Sequence, residues 1–324
     1  MHEAEAGADA HPVVLLAGGV GGAKLAHGLQ AHLGSELTVV VNTGDDLARH
    51  GLVIWPDHDT VMYTLAGLDD RERGWGLRGE TWAVSEQLER LGENAWFRLG
   101  DRDIATHLVR TERLRNGEGP TAVARHLQQA LGVRAVILPM SDEPVRTEVR
   151  TDDGWLEFQE YFVHRGQEPA VHEVRFGGID AARPTAEVTA AIENARAVII
   201  APSNPIVSVG PILALPGLRD LLTSARRRGT PVVAVSGIVG GKALRGPADR
   251  MLASLGMESS ALGVARIYAD TADAFVLDQL DADQGPAIEA VGFRALVTDT
   301  IMTDDGDRAR LGRAVLDLAR DMRA

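Results

Sequence analysis

The sequence predicts an α/β fold with a parallel sheet core and helices on both faces. Three observations predict it. Short, continuous apolar runs recur between turn residues, as strands buried on both faces require. These runs alternate with helical patterns, the order of βαβ units. The first run, Val13–Ala17, feeds a glycine loop that opens a helix, and a second run, Leu37–Val41, ends in an acidic loop. Strand, glycine loop, helix, strand is a Rossmann-like arrangement. In a parallel sheet both loops share the carboxyl edge, where α/β ligands bind.

Taken in order, residues 1–11 are polar, Ala-rich and acidic, and are expected to form a disordered tail. They lack the basic start and apolar stretch of a signal peptide. Core strands are predicted at Val13–Ala17, Leu37–Val41, Ala135–Leu138, Ala197–Ala201, Val232–Val235 and Val264–Tyr268. The Rossmann-like core is therefore assigned to residues 12–68, 132–146 and 188–324. Residues 69–131 are expected to form a mainly helical insert, placed to cover the sheet edge. Residues 147–187 alternate like strands around Asp152-Asp153-Gly154, a turn signal, and read as a β-hairpin excursion.

Composition narrows the function. With 324 residues, 45% of them hydrophobic, the chain can bury one large or two modest cores. A net charge of −13 argues against a nucleic-acid partner, which needs a basic face. The absence of cysteine excludes disulfides, thiolate zinc sites and cysteine nucleophiles. No uninterrupted apolar stretch is long enough to span a bilayer, so a soluble cytoplasmic protein without membrane association is expected. Lysine occurs only at Lys24 and Lys242, both just after glycine pairs; elsewhere the chain uses arginine. A retained lysine suits a compact point charge on an anion. The alternative is surface charge, the weightier reading for Lys242.

The glycine loop Gly18-Gly19-Val20-Gly21-Gly22-Ala23-Lys24 fails two familiar patterns. It lacks the Gly-Lys-Ser/Thr of a P-loop. Lys24 also stands where the dinucleotide fingerprint begun at Gly19 needs its third glycine. Its bare N–H groups can still seat a phosphate, and Asp45 or Asp46, with Asp57 or Asp59, can hold a divalent cation on it. One of the latter pair could instead cap the helix they precede. His58 reads as a surface or supporting group. Asp103, His107 and Arg110 share a helical face, where Asp103 would orient His107 and Arg110 would meet a phosphate; a surface ion-pair stripe is the alternative. The loops Met140-Ser141-Asp142, Ser203-Asn204 and Gly237–Gly241 follow predicted strands at the ligand-binding edge.

These motifs together resemble the 2-phospho-L-lactate transferase family, also called the CofD/FbiA family, particularly its actinobacterial phosphoenolpyruvate transferases. The matching stretches are LLAGGVGGAKLAHGL, VVVNTGDD, WPDHDTVMYTLAG, GDRDIATHLVRT, LPMSDEPVRT, FQEYFV, APSNPIVSVGPIL, VSGIVGGKALRGPADRM and the run around Thr298–Met302. They cover nearly the whole chain in order. One departure is Ser236-Gly237, where the family pattern carries Ser-Pro. The resemblance implies a Mg²⁺-dependent, homodimeric enzyme of coenzyme F420 biosynthesis. It would transfer a phosphoenolpyruvyl or phospholactyl group from a guanosine diphosphate-linked donor to the deazaflavin Fo, releasing GMP. On that reading Asp45 and Asp57 hold the metal and, with Lys24, form the catalytic set. Gly18, Gly19, Val20, Gly21, Gly22, Ser203, Asn204, Gly237 and Gly240 bind the donor. Asp46, Asp103, His107, Met140, Ser141 and Asp142 face the acceptor.

Two rivals share parts of the pattern. A related group of non-catalytic regulators binds nucleotide sugars with similar glycine and acidic loops. A nicotinamide-dependent oxidoreductase would share only the strand–glycine–helix start, and Lys24 disfavours it.

Overall fold

The computed structural model describes residues 11–323, so most of the expected tail lies outside the described residues. Seven parallel strands form the central sheet. Their spatial order is Arg294–Thr298, Ala274–Asp278, Val232–Val235, Ala197–Ile200, Val13–Ala17, Leu37–Val41 and Val136–Pro139. The chain thus starts in the sheet, walks outward to Val136–Pro139, then returns to the other side of Val13–Ala17. Leu15 pairs with Val39 on one side and with Ile199 on the other. The reversal leaves a crevice at the carboxyl ends of Val13–Ala17 and Ala197–Ile200, the switch point at which such sheets bind ligands.

The fold is α/β, as the sequence predicts. Val13–Ala17 is apolar at every position, and Leu37–Val41 at all but Thr38, because both faces are covered. One core layer packs Leu15, Leu25, Leu29, Val61 and Leu311 on one face; the other packs Leu16, Ile200, Leu222 and Phe275 on the opposite face. Helices Gly19–Leu33 and Asp305–Asp321 touch backbone to backbone. A Cβ on Gly28 would stand 1.9 Å from the carbonyl oxygen of Arg308, and one on Gly312 would stand 2.9 Å from the carbonyl carbon of Gly28. That contact brings Arg308 against the helix that carries Lys24.

One predicted strand is corrected. Val264–Tyr268 lies in the helix Ala261–Tyr268, started by the Ser260 hydroxyl accepting from the Gly263 N–H at 2.9 Å. The last two sheet strands are instead Ala274–Asp278 and Arg294–Thr298.

Residues 69–131 contain the helices Ala83–Arg90, Asp101–Arg115 and Pro120–Ala130. The last of these is tied to the sheet, since the Gln128 side chain bonds both the N–H and the carbonyl of Ile137. A separate antiparallel sheet follows the third strand, with Arg146–Thr151 between Gly154–Glu157 and Glu173–Gly177.

Candidate active site

The glycine loop closes on its neighbours so tightly that side chains are excluded. A Cβ on Gly18 would lie 2.6 Å from Asp57 Oδ2, and one on Gly21 would lie 2.3 Å from the Pro202 carbonyl oxygen. Gly19 adopts φ +62°, a left-handed conformation that glycine takes without strain. Across the switch point, the Ser203 hydroxyl donates to the Gly18 carbonyl at 2.7 Å.

Asp57 opens the helix Pro56–Leu65 and lies beneath this loop. It accepts from the Gly19 N–H at 2.7 Å and from the Asn42 side-chain amide at 2.9 Å. Asn42 is fully buried and also takes the Gly44 N–H at 2.8 Å, which shapes the acidic turn. Arg146 donates to the Asp46 carbonyl and the Thr147 N–H to the Gly44 carbonyl, bracing the same turn from outside. Asp45 is 6% exposed, and its Oδ1 has no hydrogen-bond partner. Burial, then the charge of Asp57, raises the Asp45 carboxyl well above the usual aspartate range. Burial raises Asp57 to about 6 despite its bonds to Asn42 and Gly19. Two buried carboxylates with no cationic side chain bonded to either among the described residues form a seat suited to a hard divalent ion with oxygen ligands.

Behind them lies a second polar cluster. Arg110, wholly buried, pairs with Asp59, donates to His107 Nδ1 at 3.0 Å and stacks 4.5 Å over Trp55. The other ring nitrogen of His107, Nε2, lies 3.3 Å from Asp103 Oδ1. Tyr63 donates to the same Asp103 oxygen at 2.6 Å. Burial alone would raise Asp59, but Arg110, His58 and His107 more than reverse it and hold its carboxyl far below the usual range. Asp59, Asp103 and His107 could ligate a cation by proximity. The guanidinium already neutralises Asp59, so this is an ion-pair network, in which Asp59 Oδ2 and His107 Nε2 keep no hydrogen-bond partner among the described residues.

A cleft of about 1070 Å³ covers both clusters. Gly18, Gly19, Val20, Gly21, Lys24, Asp45, Asp57, Asp103, His107, Ser203, Asn204 and Gly237 all line it. Other expected site residues stand elsewhere. Gly22 packs inside its helix against Ala17 and Ser203, and Gly240 donates its N–H to Asp281. Asp46 lies outside the cleft lining, its Oδ1 buried without a hydrogen-bond partner among the described residues. Met140 is buried in the apolar core, Ser141 bonds Glu143, and Asp142 caps the helix Pro120–Ala130 through Thr121. Arg110 faces Asp59 rather than a phosphate seat, and His58 is buried against Trp55 rather than at the surface. Lys242 is a surface group, 79% exposed beside Asp249. Gly237 lies flat on the preceding loop, where a Cβ would stand 3.0 Å from the Ser203 carbonyl oxygen.

The sequence reading missed two features. One is Asn42, whose role appears only once Asp57 is beside it. The other is an aromatic wall made by Trp75, Trp96, Phe97, Phe158 and Phe162. Trp96 stacks on His164 at 5.1 Å and Phe158 on Phe162 at 5.5 Å. The wall joins distant segments, and a chain with 4% aromatic residues concentrates them here.

Comparison with known proteins accords with this geometry. The family model for 2-phospho-L-lactate transferase CofD matches residues 13–294. A phosphoenolpyruvate transferase of Streptomyces griseus is 43% identical over 321 residues, 96% of this chain and 99% of that protein. A 2-phospho-L-lactate transferase of Methanosarcina mazei is 40% identical over 305 residues, 94% of this chain and 99% of that protein. A crystal structure of a UPF0052 family protein from Bacillus halodurans shares the fold, with TM-score 0.62 at 15% identity over 94% of this chain and 98% of that one. No helix among the described residues is long and apolar enough to cross a membrane. The chain belongs to the 2-phospho-L-lactate transferase CofD family.

Proposed function

We propose that the chain is the transferase of coenzyme F420 biosynthesis that joins a three-carbon phospho-acid to the deazaflavin Fo. The donor is guanosine diphosphate-linked enolpyruvate, or lactate in its place, and GMP is released. The observation that carries this reading is one cleft lined both by an acidic floor under a glycine loop and by an aromatic wall. Its volume, about 1070 Å³, exceeds what a single small ligand needs and suits two substrates meeting. The acidic floor suits a metal diphosphate; the aromatic wall suits a flat tricyclic ring.

In the reaction, the ribityl hydroxyl of Fo attacks the phosphorus bearing the three-carbon acid. The bond from that phosphorus to the GMP oxygen breaks, and GMP keeps the electron pair. The hydroxyl proton passes to a nearby carboxylate or to solvent. Such transfers depend mainly on positioning and charge neutralisation. Asp45 and Asp57 would hold Mg²⁺, whose charge would offset that of the diphosphate. The unpartnered Asp45 oxygen fits that role. The loop Gly18–Gly21 lets the diphosphate approach the backbone, and Lys24 adds a point charge from the first helix. Ser203, Asn204 and Gly237 line the cleft beside the glycine loop and suit the guanosine half. Arg110 keeps Asp59 ionised and fixed, so the floor beneath the phosphorus stays rigid. We also place the enzyme in the cytoplasm as a homodimer, following the family resemblance.

Purified protein with Mg²⁺, Fo and either donor, followed by mass spectrometry, tests the reading. Mg²⁺-dependent release of GMP with a phospho-acid adduct of Fo supports it. No product from either donor, with Fo unbound in a fluorescence titration, would favour a regulator that binds nucleotide sugars.

A further inference from the structure

A niche of about 20 Å³ opens off the main cleft, large enough for one small polar group and too small for a ring. Lys24, Arg71, Arg245 and Arg308 line it. Among the described residues, Asp69 is the only carboxylate in its lining. Asp305, outside the lining, accepts from Arg71 at 3.0 Å and from Arg308 at 3.3 Å. The niche therefore keeps a surplus of positive charge.

Its cations are held in place. Lys24 donates to the Met302 carbonyl at 2.8 Å, and Arg245 to the Arg73 carbonyl at 3.1 Å. Arg308 is 3% exposed, pinned by the glycine contact between its helix and that of Lys24, and its Nε has no partner. A buried guanidinium N–H without an acceptor calls for an anion. Burial, followed by the charges of Arg308 and Arg245, lowers the pKa of Lys24, a strain an anion would relieve.

Position tells which anion. Lys24 comes five residues after Gly19, and Thr60, also in the lining, three after Asp57. At helical rise, the niche is roughly 5–8 Å along both helices from the phosphate seat. In a 2-phospho acid the carboxyl carbon is three bonds from phosphorus, a reach of about 4 Å at ~1.5 Å per bond.

We propose that this niche is a carboxylate subsite in which Arg71, Arg245 and Arg308, with Lys24, hold the acid group of the three-carbon unit. The inference rests on the transferase reading of the cleft. Guanidinium groups offer paired N–H donors that match a carboxylate. Enolpyruvyl and lactyl units both carry this group, so the subsite selects a phospho-acid without choosing between the two.

The test compares turnover of the carboxylate donor with that of its carboxamide analogue, in the wild type and in Arg71→Ala and Arg245→Ala. Both arginines are exposed, so neither replacement opens the core. Arg308→Lys, which keeps charge but loses the fork, is the third variant. Wild type should prefer the carboxylate by at least about 30-fold, the worth of one charge-assisted pair. Each alanine variant should cut that preference about tenfold while GDP affinity, measured by calorimetry with Mg²⁺, stays within about threefold. An unchanged preference overturns the subsite. So does a loss of GDP affinity as large as the loss for the donor, since the niche would then read the diphosphate. A wild-type protein that neither binds GDP nor uses any donor overturns the transferase reading itself, and the subsite with it.

Discussion

The backbone N–H of Gly19 donates to Oδ1 of Asp57 at 2.7 Å, so the glycine loop and the acidic floor are one unit. The N–H that a phosphate would take is thus engaged by a carboxylate. Two anions would compete for one donor, and the divalent cation we propose would resolve the competition by joining them. Asp45, with an unpartnered oxygen beside this pair, would supply a second ligand.

Asp45→Asn should therefore separate stability from function. Burial and Asp57 raise the Asp45 carboxyl well above its usual range, so the fold penalises its ionised form. A neutral isostere relieves that cost, and the metal-free variant should melt at or above the wild-type temperature at pH 7. The same change removes a main charge clamp, so turnover should fall by at least about 10²-fold. Melts with and without Mg²⁺ report both effects: wild type gains stability from the ion, and the variant should not. Turnover within about threefold of wild type would exclude a metal role for Asp45.

Asp57→Asn isolates a pH effect. A carboxyl raised to about 6 from 3.8 binds more protons folded than unfolded between those values. In metal-free protein its contribution to stability therefore falls as pH rises through that window and is flat above it. The difference in unfolding free energy, variant minus wild type, should increase between about pH 4 and pH 6 by up to about 3 kcal/mol and then level. The lost bond to Asn42 adds an offset that does not vary with pH. Denaturant titrations at four pH values measure the slope; a flat difference would mean that Asp57 is ionised normally in the fold.

Arg110→Met tests the ion-pair network behind the floor. The side chain is wholly buried and, among the described residues, is the one guanidinium on Asp59. Removing it strands that carboxylate, and a broken buried pair costs about 3–5 kcal/mol. A loss of that size in chemical denaturation is expected, whereas Lys242→Ala, at an exposed site, should change stability by less than about 0.5 kcal/mol. A small loss for Arg110→Met would show that Asp59 is solvated or protonated instead.

The sequence made the sheet legible where burial leaves a signature. Val13–Ala17 is apolar throughout, and Leu37–Val41 at all but Thr38, because helices cover both faces. Arg294–Thr298, at the sheet edge, has only exposed and half-buried positions and resembles a loop. Val264–Tyr268 misleads because a short apolar run fits strand and helix alike, and only the Ser260 cap decides. At the site, residues on the loops beside the switch point could be read from position, as with Gly19, Asp57 and Ser203. Met140-Ser141-Asp142 follows a strand at the same edge, yet Asp142 turns to cap a helix through Thr121. Nothing local tells a loop that faces the cleft from one that serves its neighbour. The partnership of Asn42 with Asp57 and the aromatic wall exist only in three dimensions.

The wall yields the last prediction. Trp96 is half-buried, stacks on His164 and receives the Arg49 guanidinium at 5.2 Å, so its ring is held at the cleft rather than free to turn away. A flat deazaflavin gains stacking on such a ring, worth about 0.5–1.5 kcal/mol beyond the area buried. Trp96→Ala should raise the KM for Fo roughly threefold to tenfold with little change in GDP affinity, since the acidic floor and the Ser203 loop are untouched. Fluorescence titration with Fo and calorimetry with GDP separate the two. Equal loss of both would mean that Trp96 supports the whole cleft through the cover formed by residues around Phe97 and Leu99. Loss of Fo binding alone assigns the aromatic wall to the acceptor.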